Sequence, residues 1–185
     1  TTPAARLDGT RQGVGLVGRS APAPLEDEHP VMEIAEARER DFDAILELWG
    51  DLAAFHARLD PAFAPSAGWR AAYQGYLSTL LDREDARVLV AREKGAVVGY
   101  AVGRITLLPP FFAERRRGFI QDVYIDEGHR RQGIARRLVQ EILDWLRTEE
   151  SAAVELTVAS TNVDAIRLWE SLGFQAYMQH FKRTL

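Results

Sequence analysis

Arginine charge and small residues meet in the segment HRRQGIA at residues 129–135, where an amphipathic helical pattern begins. The first N–H groups of a helix have no partner within it and carry partial positive charge, so they can bind a phosphate. Gly133 lacks a Cβ and lets a ligand approach the main chain. With Arg130, Arg131 and Arg136 nearby, the segment predicts an anion site; the alternative is a solvated basic turn.

The strand predicted before this turn carries two side chains that could move protons. Alternation along the strand places Asp122 and Tyr124 on one face and apolar side chains on the other: Phe119, Val123 and Ile125. Asp122 is the candidate general base, and a carboxylate hydrogen-bonded to a neighbouring loop is the alternative. Tyr124 could relay a proton or simply line a cleft.

Apolar periodicity and turn residues predict the elements that position these groups. The strands are predicted over Val31–Ala35, Arg87–Arg92, Ala96–Leu107, Phe119–Asp126 and Ala153–Val158, with a last strand or bent pair of strands over 174–185. The helices are predicted over Phe42–Leu59, from a Ser66 cap through Leu80, from the Gly133 turn through Leu146, and from a Thr161 cap to before Gly173. One α/β domain over residues 31–185 accounts for this order.

Composition narrows the class of protein. The chain has 185 residues, a hydrophobic content of 46%, a net charge of −4 and no cysteine. These values predict a soluble, cytoplasmic protein without thiolate chemistry, and they give no basic field for nucleic acid or membrane surfaces. No apolar run approaches the ~18 residues of a spanning helix.

Residues 1–30 differ from the rest because prolines, glycines and charges replace any apolar period, which predicts a flexible arm or linker. The arm contains a literal GxGxxG match at Gly13–Gly18. A dinucleotide site needs a strand before this motif and a helix after it, and neither is predicted here.

A second motif, Asn162-x-x-Ala165-x-x-Leu168-Trp169-x-x-Leu172-Gly173-Phe174, follows the basic turn by some 30 residues. In this order the two motifs resemble those of the GNAT superfamily of acyl-CoA-dependent N-acetyltransferases. The turn is similar to that family's pyrophosphate signature, (Gln/Arg)-x-x-Gly-x-(Gly/Ala). The resemblance implies an α/β fold of the α+β type: a mixed, mostly antiparallel sheet of about six to seven strands flanked by four helices. A cleft would open between the strands at 119–126 and 153–158.

The resemblance also implies acetyl-CoA as the acetyl donor, with no metal. The turn would hold the pyrophosphate, and the strand before it would pair with the pantetheine arm. The residues implied to bind the cofactor are Val123, Tyr124, Ile125, Arg130, Arg131, Gln132, Gly133, Ile134, Ala135, Arg136, Asn162, Ala165 and Trp169. For Asn162, helix-entry chemistry is the alternative.

Two positions depart from the family pattern. Trp169 stands where many members carry the tyrosine that protonates the leaving thiolate, and an indole N–H is too weak an acid for that role. Packing is therefore the favoured interpretation of Trp169. Gln121 stands where some relatives carry a glutamate base, and an amide cannot accept the proton.

Three functional hypotheses remain. The first is an N-acetyltransferase that moves the acetyl group of acetyl-CoA to a primary amine by direct attack in a ternary complex, the acceptor being a small amine or a protein amine. The second is an acyl-CoA-binding regulatory or catalytically degenerate module. A nucleic-acid-binding module, suggested by Arg115, Arg116 and Arg117, is disfavoured by the net charge. A homodimer is a further expectation, because relatives often dimerise through C-terminal strands.

Several side chains are candidates for the acceptor side, each with a structural or solvent-exposed alternative. Acidic residues on the first predicted helix could favour a cationic substrate, and the residues that follow that helix could shape its pocket. The candidates are Glu47, Asp51, His56, Arg58, Asp60, Tyr177 and His180.

Overall fold

The computed structural model describes residues 32–183. The arm predicted over 1–30 and its glycine motif lie outside the described residues, as do positions 184 and 185. Strands and helices follow the predicted order as far as the last helix. The strands are β1 Met32–Glu36, β2 Ala86–Glu93, β3 Ala96–Leu107, β4 Arg116–Ile125 and β5 Ala153–Leu156; the helices are α1 Phe42–Leu59, α2 Trp69–Leu81, α3 Ile134–Thr148 and α4 Val163–Ser171.

Over residues 32–183 the sheet has five strands in the order β1-β2-β3-β4-β5. The first four strands are antiparallel, and β5 pairs parallel to β4 after the crossover through α3. The mixed, mostly antiparallel sheet with four helices is confirmed, but the prediction of six to seven strands is wrong for the described part of the chain. The difference arises at 174–183, where polar residues interrupt every short apolar run and no strand forms.

The two faces of the sheet carry separate cores. Helices α1 and α2 cover one face, where Tyr100 and Val102 of β3 are fully buried. Helix α3 covers the other face with its apolar stripe. Gly103 brings α3 close to the sheet, since a Cβ at that position would lie 2.6 Å from Ile142 Cγ2. Any site at β4 therefore lies between α1 and α2 on one face of the sheet and α3 on the other.

A β-bulge interrupts β4 at Gln121. Ile120 pairs with Gly103 and Asp122 pairs with Val102, so Gln121 is the extra residue. The prediction that Phe119 shares a face with Val123 and Ile125 is therefore wrong. A bulge shifts the alternation by one residue, and Ile120 takes the place on the α3 face instead.

Two helix starts also differ from expectation. Gly68, not Ser66, is the N-cap of α2, and Asn162, not Thr161, is the N-cap of α4. Ser66 contributes only its carbonyl, which accepts a bond from the Trp69 N–H at 3.1 Å. Helix boundaries commonly differ from expectation by one or two residues, because the first and last turns are the least regular part of a helix. Within the described residues, no helix combines the length and apolar character needed to cross a bilayer.

Candidate functional site

Strands β4 and β5 diverge partway along their length. They pair from Arg117 opposite Ala153 to Ile120 opposite Leu156, where β5 ends. Strand β4 continues to Ile125 while paired only with β3 among the described residues. The backbone of Val123–Ile125 therefore has no strand partner on the β5 side among the described residues, at the location where the sequence predicts a cleft. An extended ligand could add to this edge as a strand does.

The turn between β4 and α3 has a backbone suited to anions. Arg131 has φ +62° and Gly133, the N-cap of α3, has φ +78°. The Arg137 N–H donates to the Gly133 carbonyl at 3.1 Å and closes the first helical turn. The N–H groups of Ile134, Ala135 and Arg136 precede this bond and have no intrahelical acceptor. Successive backbone N–H groups around left-handed residues form a concave anion site.

Gly133 is required for its backbone conformation more than for space. A Cβ at this position would have no heavy atom within 4 Å in the protein. Its positive φ lies in the region that side chains with a Cβ adopt at a cost. Any steric demand at Gly133 must therefore come from a bound ligand.

The arginines of the turn do not all point toward open space. Arg130 lies back over β4: its Nε donates to the Ile125 carbonyl at 3.1 Å and its Nη2 to the Tyr124 hydroxyl at 3.0 Å. Arg136 Nη2 donates to the Ser171 hydroxyl at 2.9 Å and joins the turn to α4. Arg131 is exposed, as is the neighbouring Gln132 side chain. Backbone N–H groups and Arg131 are therefore the groups in place for an anion.

Helix α4 stands beside the turn. Asn162 caps it, because its Oδ1 accepts a bond from the Ala165 N–H at 3.2 Å. Trp169 packs edge-to-face against Phe174, with ring centroids 5.4 Å apart, and borders the core under α3. Asn162 is partly exposed at the start of the helix, while the Trp169 ring has apolar neighbours.

Asp122 is the centre of a hydrogen-bond network between β4 and α2. The Tyr73 hydroxyl donates to Asp122 Oδ2 at 2.8 Å, and Gln121 Nε2 donates to the same oxygen at 3.2 Å. The Tyr76 hydroxyl donates to Gln121 Oε1 at 2.6 Å. Burial raises the pKa of Asp122, and these hydrogen bonds oppose the rise because they stabilise the charged form.

His56 of α1 belongs to the same neighbourhood. Burial lowers its pKa, and the negative charge of Asp122 opposes that shift. The His56 ring lies 6.1 Å from the ring of Phe63, which is 62% exposed in the loop after α1. A histidine beside a carboxyl can accept or pass on a proton.

Tyr124 shares the face of Asp122 but not its hydrogen bonds. Its hydroxyl meets Arg130, whose guanidinium carbon lies 5.2 Å from the Tyr124 ring centroid. Burial raises the pKa of Tyr124, and the charge of Arg130 opposes that rise. The structure thus joins Tyr124 to the turn and Asp122 to α2.

The tyrosines of α2 were missed as functional candidates by sequence reasoning. Tyr73 and Tyr76 fit the apolar stripe of the helix, and their hydroxyls gave no signal of a partner. Other acceptor-side candidates are engaged elsewhere or exposed: Glu47 pairs with Arg70 and Asp60 with Lys182, while Tyr177 and His180 are exposed. Over residues 32–183 no group of three or more His, Asp or Glu side chains is arranged to hold a metal ion.

Comparison with known proteins connects this geometry to a family. The model of the acetyltransferase (GNAT) family matches residues 34–174, from β1 to the residue after the α4 turn. N-alpha-acetyltransferase RimI of Mycobacterium tuberculosis is 37% identical over 86 residues, 46% of this chain and 49% of that protein. L-amino acid N-acetyltransferase AaaT of Escherichia coli is 26% identical over 148 residues, 77% of this chain and 82% of that protein. The chain spans about half the length, or less, of the first curated relatives it matches.

Solved structures share the fold. A mutant of the BH1408 protein from Bacillus halodurans has a TM-score of 0.72 at 24% identity, covering 83% of this chain and 99% of that chain. Aminoglycoside N-acetyltransferase AAC(6')-Iy in complex with CoA has a TM-score of 0.69 at 15% identity, covering 86% of this chain and 99% of that chain. At these identities the similarity establishes the fold alone.

Proposed function

Because the chain belongs to the GNAT acetyltransferase family, whose model matches residues 34–174, we propose that it transfers the acetyl group of acetyl-CoA to a primary amine. The observation that carries this proposal is the edge of β4 past Ile120, which has no strand partner on the β5 side among the described residues and is followed by the turn at 126–133 and the N-terminus of α3. CoA has an extended pantetheine arm that ends in a pyrophosphate. The arm would pair with the strand edge, and the pyrophosphate would bind at the helix N-terminus. The similar fold of a protein that binds CoA supports the same cofactor.

The residues around β4 suit the two ends of acetyl-CoA. The pyrophosphate would accept hydrogen bonds from the N–H groups that follow Arg131, and the pantetheine amides would pair with the backbone of Val123–Ile125. Asn162 and Ala165, at the start of α4, would border the pantetheine arm. The thioester then lies toward the bulge at Gln121, which brings its carbonyl carbon near Asp122.

Acetyl transfer then proceeds by direct attack. The amine nitrogen forms a bond to the thioester carbonyl carbon, the carbon–sulfur bond breaks, and CoA leaves as the thiolate. The proton released by the amine passes to Asp122, and the thiolate takes a proton from solvent. A buried carboxylate with a raised pKa is a stronger base than an exposed one, which favours Asp122 in this role.

The second candidate function is an acyl-CoA-binding module without turnover. Trp169 favours it, because the indole replaces the tyrosine that many family members carry and packs against Phe174. A module of this kind would bind acetyl-CoA through the turn and leave the carboxyl of Asp122 without a catalytic role.

The acceptor class can be tested with amines drawn from the relatives. One relative is an L-amino acid N-acetyltransferase and another is a ribosomal protein bS18-alanine N-acetyltransferase. We propose free amino acids and peptides with an N-terminal alanine as the first acceptors to test, followed by lysine side chains and aminoglycosides.

The decisive experiment measures thiol release from acetyl-CoA with each acceptor. Steady release that depends on the amine, with the acetylated product identified by mass spectrometry, supports the transferase. Saturable acetyl-CoA binding in calorimetry without release across the panel favours the binding module. Absence of both contradicts the assignment of the turn as a cofactor site.

A further inference from the structure

The bulge in β4 gives two neighbouring residues the same direction. In a regular strand, Gln121 and Asp122 would lie on opposite faces of the sheet. Because Gln121 is the extra residue, both side chains reach α2. Bulges often redirect side chains in this way beside active sites.

Helix α2 meets this pair with two tyrosines one turn apart. The hydroxyl of Tyr73 donates to Asp122 Oδ2 at 2.8 Å, and that of Tyr76 donates to Gln121 Oε1 at 2.6 Å. The Gln121 amide is fixed by both neighbours, since the Asp122 carboxylate accepts only from Nε2 and leaves Oε1 to accept from the Tyr76 hydroxyl. Its Nε2 is thereby directed to Asp122 Oδ2, at 3.2 Å.

Both donors end on the same carboxylate oxygen. Among the described residues, the hydrogen bonds of the Asp122 side chain go to Oδ2, and Oδ1 receives none. A carboxylate held through one oxygen presents the other in a fixed direction. Oδ1 is therefore the oxygen that can accept a proton without breaking the hydrogen bonds to Oδ2.

The groups facing Asp122 come from four elements. They are Tyr73 on α2, Gln121 on β4, His56 on α1, and Arg104 and Tyr100 on β3. Burial is the largest influence and raises the pKa of Asp122, while the two hydrogen bonds and the nearby cationic groups lower it. Losing a donor should therefore raise that pKa further.

We propose that Tyr73, Gln121 and Tyr76 are positioning residues that hold Asp122 Oδ2 and leave Oδ1 as the proton acceptor of the acetyl-transfer reaction. This inference rests on the proposed function, in which Asp122 takes the proton of the amine. It gives a role to Gln121, which cannot itself be a base. It also assigns to α2 a contribution that the family motifs of this chain do not contain.

The test combines a direct titration of Asp122 with the pH–rate profile. The carboxyl carbons of aspartate are labelled with ¹³C, the Asp122 signal is assigned with Asp122→Asn, and its titration is followed by NMR. The variants are Tyr73→Phe, Gln121→Glu and Tyr76→Phe. Gln74→Glu, on the exposed side of α2, is the matched control because it introduces the same charge away from the network.

The expected result is a graded shift. In Gln121→Glu, a like charge replaces a donor, so the Asp122 titration and the acidic limb of kcat/KM should move up together by about one pH unit. Tyr73→Phe should move the titration and the acidic limb upward by a comparable amount. Tyr76→Phe should move them by less, because the Gln121 Nε2 donor to Asp122 remains in that variant. Gln74→Glu should move neither, and KM for acetyl-CoA should stay unchanged in all four variants.

The outcomes separate this inference from the proposed function. An Asp122 titration that stays in place in Gln121→Glu and Tyr73→Phe overturns the positioning role, whatever the activity. A titration that moves while the rate profile stays in place overturns Asp122 as proton acceptor. Absence of amine-dependent thiol release by the unsubstituted protein contradicts the transferase, and the NMR titration still decides whether the network controls Asp122.

Discussion

The two halves of the site are built by different means. The turn over residues 126–136 is exposed at most of its positions and offers backbone N–H groups whose direction follows from local φ angles. The surroundings of Asp122 are largely buried and consist of side chains from α1, α2, β3 and β4. The first half depends on a few consecutive residues, and the second depends on how distant segments pack. Substitutions in the turn should therefore change the affinity for the cofactor, and substitutions around Asp122 should change the rate of the chemical step.

The largest expected effect separates chemistry from binding. Asp122→Asn keeps the shape and the capacity to accept the Tyr73 hydrogen bond but removes the proton acceptor. We expect kcat to fall about 100-fold or more, the usual contribution of a general base. The acidic limb of the pH–rate profile should flatten, because the rate rises as Asp122 loses its proton.

The dissociation constant for acetyl-CoA, from calorimetry, should stay within about twofold in this variant, since the carboxyl lies outside the turn. A loss of affinity that matches the loss of kcat would place Asp122 in the cofactor site and break the division between the two halves.

The second effect concerns the turn alone. Gly133→Val forces a β-branched residue into a positive φ and puts a Cβ where the cofactor approaches. If the blocked approach removes about 2 kcal/mol of binding free energy, acetyl-CoA binding becomes roughly 30-fold weaker. Gly95→Val is the matched control: Gly95 has φ +85°, also without neighbours within 4 Å, but sits in the β2–β3 hairpin.

Both glycine variants should lose similar stability in urea unfolding. Only Gly133→Val should lose affinity for acetyl-CoA. Equal affinities in two folded variants would remove the turn from the cofactor site.

A smaller effect is expected where the halves meet. Tyr124→Phe removes the hydroxyl that accepts a hydrogen bond from Arg130. Loosening Arg130 should cost about 1 kcal/mol and raise KM for acetyl-CoA roughly fivefold, with kcat nearly unchanged. Steady-state kinetics with acetyl-CoA as the varied substrate measures both constants. A tenfold or greater fall in kcat with constant KM would instead identify Tyr124 as a proton relay.

The smallest effect is on stability at the edge of the turn. His129 Nδ1 lies 2.7 Å from Asp126 and its Nε2 lies 3.4 Å from Glu93 at the end of β2. The hydrogen bond with Asp126 and both carboxylates raise the pKa of His129 above its ordinary value. A raised pKa in the folded protein gives stability that is fully present below the ordinary histidine pKa and lost as pH rises through the folded value.

His129→Gln should therefore unfold more easily at pH 5.5–6 (about the range below the ordinary pKa) and match the unsubstituted protein at high pH. The difference should be no more than about 1 kcal/mol, because the group is solvent-accessible. Urea unfolding at several pH values measures it, with the exposed His180→Gln as control. A difference that grows with pH contradicts the ion-pair explanation.

Much of the fold could be predicted from local pattern. Helix α1 begins and ends at the predicted residues, Phe42 and Leu59, because its apolar residues recur with a helical period before a proline break. The β2–β3 hairpin agrees within one residue at each end. The prediction of further strands at 174–185 rests only on short apolar runs, and the described part of that stretch is irregular.

The candidate site divides in the same way. The basic glycine turn at the start of α3 could be predicted because its glycine, its arginines and the helix start are contiguous in sequence. The bulge could not be predicted, since one extra residue in a strand leaves no local signature. The bulge places Phe119 on the face opposite to the one predicted. The partners of Asp122 were equally hidden, because Tyr73 lies 49 residues away and resembles an ordinary core residue.

The sequence by itself determined the order of the elements, the basic glycine turn and the family that these motifs resemble. Those features follow from periodicity and backbone preferences over a few residues, which act before distant segments meet. Only the tertiary structure decided that the pairing of β4 with β5 stops at Ile120 and that Arg130 lies back over Tyr124. It also decided that α2 holds the carboxyl of Asp122 through one oxygen. Such contacts join residues far apart in the chain, so they exist only once the sheet and helices have packed.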